Sequence, residues 1–180
     1  MSGEEGHVYA YEPIPKLRDQ IARSLTANEI HNVTIVDVAL SDKDGEMKLH
    51  IRKGNIGGSS LVEGIDTEEL PVRVTTFDRS HTGRVDFIKL DVEGYEYHVL
   101  TGAKDRIAQY RPVVIFEWSP IYYRHHAPGH TKAILAFFKE LNYSLIDLED
   151  GNKLIANIED FVSMFDTGLR SQTNILARPL

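Results

Sequence analysis

A chain of 180 residues, 42% hydrophobic and 26% charged, has the size and composition of one globular domain, able to bury roughly 70% of its unfolded surface. Its 20 Lys and Arg against 27 Asp and Glu leave a net charge of −7, which argues against nucleic acid and anionic membrane as partners, because phosphate binding begins with a basic patch. The lack of Cys excludes disulfides, thiolate metal sites and Cys nucleophiles, and without an apolar run near ~18 residues or a signal-like start the protein is expected to be soluble and cytoplasmic.

Val8-Tyr9-Ala10-Tyr11 reads as a strand, stopped by Glu12-Pro13-Ile14-Pro15. Pro15 suits the first position of a helix, and Ile14, Leu17, Ile21 and Leu25 recur at helical spacing to about Asn28. Val33 to Val38 reads as a second strand, β-branched on both faces as in a covered parallel strand. Asp42 to Gly45 is a turn sequence. Met47, Leu49 and Ile51 then alternate with polar residues, as does Val72 to Phe77 after the glycine-rich Gly54 to Ser60 loop. This predicts an antiparallel excursion at the sheet edge over about 42–77. Strands follow at Val85 to Leu90, Pro112 to Trp118, Tyr143 to Leu148 and Thr173 to Ala177. Helices intervene at about Tyr95 to Ala108, Thr131 to Leu141 and Ile158 to Phe165. With no repeat or linker, residues 1–180 form a single α/β domain around a mostly parallel sheet.

Ligands of such sheets bind beyond the carboxyl ends of the strands. Glu12, Asp91 and Glu117 fall at such ends, with Glu93 two residues past Asp91. Glu12 is either an acceptor for ribose hydroxyls or an acid favoured by the following helix N-terminus. Lys89 and Asp91 share one face of an apparently buried strand, so they form either a structural ion pair or a polar cluster that positions a substrate hydroxyl. His126 and His130 have i, i+4 spacing, but Pro128 and Gly129 between them disfavour the helix a shared metal would need, and an exposed loop is the expectation; no metal site is assigned. Ser59 and Ser60 either bond a ligand or serve their turn. No G-x-S-x-G elbow and no phosphate-binding P-loop is present.

The run Val8-Tyr9-Ala10-Tyr11-Glu12-Pro13, the stretch Asn32-Val33-Thr34 through Ala39-Leu40-Ser41-Asp42 and Gly45, then Gly58-Ser59-Ser60-Leu61, Asp86-Phe87-Ile88-Lys89-Leu90-Asp91-Val92-Glu93-Gly94 and Arg111-Pro112 together resemble the FkbM-type methyltransferases that use S-adenosylmethionine. The resemblance covers about Gly6 to Trp118. It implies a Rossmann-like class I methyltransferase sheet, mostly parallel with an antiparallel C-terminal part, and O-methylation of a hydroxyl on a sugar or small metabolite. Carried over by position, the resemblance implies Glu12 as the ribose-binding acid, Val38, Ala39 and Leu40 as framing the adenine with Asp37 nearby on the cofactor's side, and Asp91 and Glu93 as facing the methyl donor and the acceptor. Glu117 faces the same cleft. Asp91 or Glu93 is the implied general base, with Lys89, Ser59, Ser60 and Trp118 toward the acceptor. Trp118, Tyr122 and Tyr123 either stack on a sugar or ring or pack beneath the loop.

The family's first strand and its glycine-rich cofactor turn have no counterpart in the sequence, where no G-x-G occurs. The chain therefore reads as N-terminally truncated, with a gap in mid-sheet that another strand or a homo-oligomer would close. Two functions follow: a working methyltransferase, or an impaired remnant that serves as a binding or interaction module. A nucleotide- or sugar-binding α/β protein would share the alternation but has no need of the Asp91-Val92-Glu93-Gly94 stretch.

Overall fold

The computed structural model describes residues 3, 5–63, 67–120, 123, 127, 129–166 and 170–180. Strand β1 (Val8–Tyr11) leads through helix α1 (Pro15–Ala27) to β2 (Val33–Val36). The two strands pair in parallel, Val8 opposite Val33 and Tyr11 opposite Val36. Pro15 sits in the first turn of α1, where a missing N–H costs nothing. No residue of α1 is buried. Its Leu17, Ile21 and Leu25, with Glu12 and Ile30, line an open groove of about 360 Å³.

The second strand is shorter than its β-branched run suggests. It ends at Val36, and Asp37, ion-paired with Arg18 at 2.5 Å, marks where the chain leaves the β1 edge. Ala39–Leu40 (β3) then joins β4 (Gly45–Arg52) and β5 (Thr67–Thr75) in a separate three-stranded sheet of order β3-β5-β4. The expected antiparallel excursion is this β4–β5 pair, in register from Gly45 opposite Val74 to Arg52 opposite Thr67. Ile14, Ala39, Leu49, Val72 and Val74 form a small core beneath it.

The short helix α2 (Phe77–Ser80) is capped by the Thr76 hydroxyl, which accepts the Arg79 N–H. Next come β6 (Phe87–Leu90), α3 (Glu96–Thr101), α4 (Lys104–Tyr110) and β7 (Val113–Trp118). The single helix expected from Tyr95 to Ala108 is thus two. They meet at Gly102, whose carbonyl accepts the Asp78 N–H at 2.9 Å and whose backbone presses on Ser41. Helix α5 (His130–Glu140), β8 (Tyr143–Asp147), β9 (Lys153–Leu154), α6 (Ile158–Asp166) and β10 (Thr173–Pro179) complete the chain.

The five-stranded sheet has the order β6-β7-β10-β8-β9, parallel at β6–β7 and antiparallel from β7 through β10 to β8 and β9. The main core lies between this sheet and its helices, with Phe116, Trp118, Leu100, Ile107, Ile134, Phe138 and Leu145 fully buried.

Among the described residues β1 pairs only with β2, and β6 only with β7. Side chains of β1 reach helix α2 instead. Tyr9 meets His81 edge-on at 4.7 Å, Tyr11 meets Phe77 at 5.9 Å, and the Tyr11 hydroxyl lies 3.2 Å from Ser80 Oγ. Val8, Tyr9 and Phe87 are left 42%, 47% and 55% exposed. This corrects the expectation that Lys89 is buried: strand β6 has a neighbour on one side only, and Lys89 is exposed. Among the described residues no helix is long and apolar enough to cross a membrane.

Candidate active site

Strands β6 and β7 run side by side with Leu90 opposite Phe116, so the next step along each brings Asp91 beside Glu117. Asp91, Glu93 and Glu117 each offer a carboxylate oxygen within 4.8 Å of the other two. Three negative charges at that spacing cannot all ionise freely. Partial burial, reinforced by the charges of Asp91 and Glu93 and a hydrogen bond with Asp91, pushes Glu117 up to about 7. Glu117 therefore takes up its proton near neutrality. Its spacing also suits a cation, although acids alone assign none.

The turn that presents Glu93 is unusual. Glu93 and Gly94 both have left-handed backbones, φ 50° and 92°, and for a non-glycine residue that conformation costs energy. Ser60 fastens this turn: its hydroxyl donates to the Glu93 carbonyl at 2.7 Å, near the Val92 carbonyl at 3.4 Å. Ser59 donates to the Ile56 carbonyl and accepts the Arg52 N–H, so its hydroxyl is used within its own turn. Lys89 Nζ donates to the Leu90 carbonyl at 2.9 Å and reaches Asp91 at 3.4 Å. With both partners about half exposed, this pair contributes little to stability.

Glu12 lies beyond the end of β1. One of its carboxylate oxygens accepts the Ile14 N–H at 2.7 Å, the helix-start contact. Burial raises its pKa, against that hydrogen bond and the nearby Arg18. Arg18 ties this corner together: it donates to the carbonyls of Glu12 and Pro13 at 3.1 and 2.8 Å and pairs with Asp37. Asp37 itself is exposed, Val38 and Leu40 are half-buried, and Ala39 is buried in the small core. The structure therefore gathers the called residues into two groups, Glu12 with Asp37–Leu40 and Asp91 with Glu93 and Glu117.

Trp118 does not face a ligand. Its ring is fully buried, packs on Phe161 and Phe165 at 5.1 and 4.8 Å, and donates to the Thr131 carbonyl. The strand alternation that points Glu117 one way points Trp118 into the core, which corrects the stacking role. Tyr122, His125 and His126 lie outside the described residues. Tyr123 is buried, and His130 stacks on Tyr97 at 4.1 Å, its pKa lowered by burial and by His98.

Sequence reasoning missed Arg18 and Glu96. The first carries no signal beyond its place on α1. The second does: Glu96 shares a helix face with Val99 and Leu100, three and four residues on, so an inward acid is legible there. Glu96 is only 2% exposed.

No curated protein matches the chain. The crystal structure of an FkbM methyltransferase from Methylobacillus flagellatus KT superposes with a TM-score of 0.54 at 17% identity, over 95% of this chain and 36% of that one. At that identity the match speaks for the Rossmann-like fold alone, and the chain spans about a third of that protein's length. A family model described as the methyltransferase FkbM domain matches residues 1–145, and this chain therefore belongs to the FkbM methyltransferase family.

Proposed function

We propose that the chain binds S-adenosylmethionine and transfers its methyl group to a hydroxyl of a sugar or other small metabolite. The observation that carries this reading is the carboxylate cluster at the ends of β6 and β7, where Glu117 is raised to about 7 beside Asp91 and Glu93. The residues fit the cofactor's charges. An anionic cluster complements a sulfonium and an ammonium, and the Glu12 carboxylate suits two ribose hydroxyls. Asp37, Val38, Ala39 and Leu40 would frame the adenine. When bound, the cofactor supplies an electrophilic methyl group on sulfur. Glu117 accepts the proton of the acceptor hydroxyl, since a base whose pKa lies near the working pH is best matched to that task. Asp91 and Glu93 raise its basicity by their charge and orient the hydroxyl, and alignment supplies the rest of the acceleration.

Calorimetric titration with S-adenosylhomocysteine tests the reading. Saturable binding that Glu12→Ala weakens by ~1 kcal/mol or more, as for a lost charged hydrogen bond, supports it; a folded chain that does not bind overturns it. The exposed Val8, Tyr9 and Phe87 on the one-sided strands β1 and β6 favour one second reading, a module that pairs with another strand, and it gains if the folded chain binds no cofactor.

A further inference from the structure

We propose that Glu96 is a positioning residue that fastens the Asp91–Gly94 turn to Tyr123 and so sets the carboxylates of Asp91 and Glu93 against Glu117. The proposal rests on the reading of that cluster as the methyl-transfer site. One oxygen of Glu96 accepts the N–H groups of Val92 and Gly94 at 3.4 and 3.3 Å, and the other accepts the Tyr123 hydroxyl. Burial raises the Glu96 pKa, and the donors on its two oxygens, the Tyr123 hydroxyl and the N–H groups of Gly94 and Val92, act against that rise and favour the anion. Tyr123 is 1% exposed and its pKa is raised by burial and by Glu96, so it keeps the proton it donates.

The two clamps on the turn are complementary. Ser60 holds the carbonyls of Val92 and Glu93 from the loop before β5, and Glu96 holds the N–H groups of Val92 and Gly94 from the first turn of α3. Between them sits the left-handed Glu93, a conformation that persists only where its surroundings over-determine it. Tyr123 belongs to the segment between β7 and α5, so Glu96 also joins the two chain segments that leave β6 and β7. Glu96, when ionised, lies near enough to Glu117 to raise its pKa further.

The test compares wild type with Glu96→Gln, Glu96→Ala and Tyr123→Phe. The Glu117 carboxyl is titrated by carbon-13 NMR, amide exchange is followed at Val92 and Gly94, and kcat and the cofactor KM are measured. Gln keeps an oxygen for the two N–H groups without the charge, so exchange stays near wild type while the Glu117 midpoint falls. Ala releases the turn: exchange at Val92 and Gly94 rises at least about tenfold, and kcat falls about 10- to 100-fold with KM little changed, the cost of misplaced groups. Phe removes one hydroxyl and gives the same changes in smaller measure, which keeps the test open if Ala does not fold. Melting temperatures that fall while midpoint, exchange and kcat stay at wild-type values would overturn the proposal. A wild-type chain that neither binds S-adenosylhomocysteine nor transfers methyl would instead overturn the proposed function, and the titration and exchange would still decide the role of Glu96.

Discussion

The backbone of Gly102 lies against the carbonyl of Ser41 so closely that a Cβ added at Gly102 would sit 2.0 Å from that oxygen. The contact joins Ala39-Leu40-Ser41-Asp42, a stretch that carries the family resemblance, to the end of α3. Two further bonds secure it: Ser41 Oγ meets the Tyr95 hydroxyl at 3.1 Å, and His98 Nδ1 meets Asp42 at 2.9 Å. Because the obstructing atom is backbone, relief requires moving a helix. Gly102→Ala is expected to destabilise the chain by ~1–3 kcal/mol, the usual cost of overpacking. A urea midpoint that falls at unchanged slope checks this.

At the far end of the molecule Arg170 bonds both oxygens of Asp147, and Thr173 donates to one of them at 2.5 Å. Asp147 is 2% exposed. Burial opposes its ionisation, but the Arg170 and Thr173 bonds outweigh it and hold the carboxyl below the ordinary value. A depressed pKa makes this contribution complete above ~3.9, the unfolded value, and loses it as pH falls through the folded one. Arg170→Ala leaves a buried charge unpaired and is expected to cost ~3 kcal/mol at neutral pH. The deficit should begin to shrink below about pH 4, where the unfolded chain takes up a proton at Asp147, and shrink further as pH falls through the depressed folded value. Urea unfolding at pH 7 and pH 3 compares the two.

The local features were legible and the tertiary ones were not. β-Branched runs announced β2 and β7, and the spacing of Leu17, Ile21 and Leu25 announced α1. The helix break at Gly102 was hidden because its cause, the Ser41 carbonyl, lies far away in the sequence. Alternation put Lys89 and Asp91 on one face correctly, but periodicity says which residues share a face and not what covers it, so Lys89 was read as buried. The same limit applied to Trp118: an aromatic beside a candidate acid suits both stacking and core, and only the packing of Phe161 and Phe165 decides. Of the candidate site, the acids at the strand ends could be read, whereas Arg18 and Ser60, which hold them, act through backbone contacts that leave no spacing pattern, and Glu96 shows only as an inward acid on the face of α3.

Arg18 offers a way to separate positioning from stability around Glu12 and Asp37. It touches the carbonyls of Glu12 and Pro13 and the carboxylate of Asp37, yet Asp37 is 59% exposed, and such a pair adds at most ~1 kcal/mol. Arg18→Ala should therefore lower the melting temperature only slightly. Its larger effect is on the two loops after β1 and β2, which a ligand must then order for itself, at ~0.5–1.5 kcal/mol per side chain. Affinity for S-adenosylhomocysteine should fall about 3- to 10-fold. Equal affinity in the variant and wild type would separate Arg18 from the cofactor.

The proton that Glu117 holds beside Asp91 gives the molecule a pH signature in both activity and stability. Glu117 is raised to about 7 by burial and by the charges of Asp91 and Glu93, against ~4.3 for an unfolded Glu. A raised carboxyl stabilises the fold fully below the unfolded value, and that contribution is lost as pH rises through the folded one. Between about pH 4.3 and 7, then, the native state binds more protons and stability declines with rising pH. Glu117→Gln carries no such proton, so its stability should decline less from pH 5 to pH 8 than wild type does. Activity runs the opposite way, because the base works only when ionised: kcat should climb to a plateau with a midpoint near the raised value. Asp91→Asn removes one of the charges that hold the proton, and should move that midpoint down while retaining Glu117 as acceptor. A kcat profile whose midpoint is the same in Asp91→Asn as in wild type would take Glu117 out of the proton path.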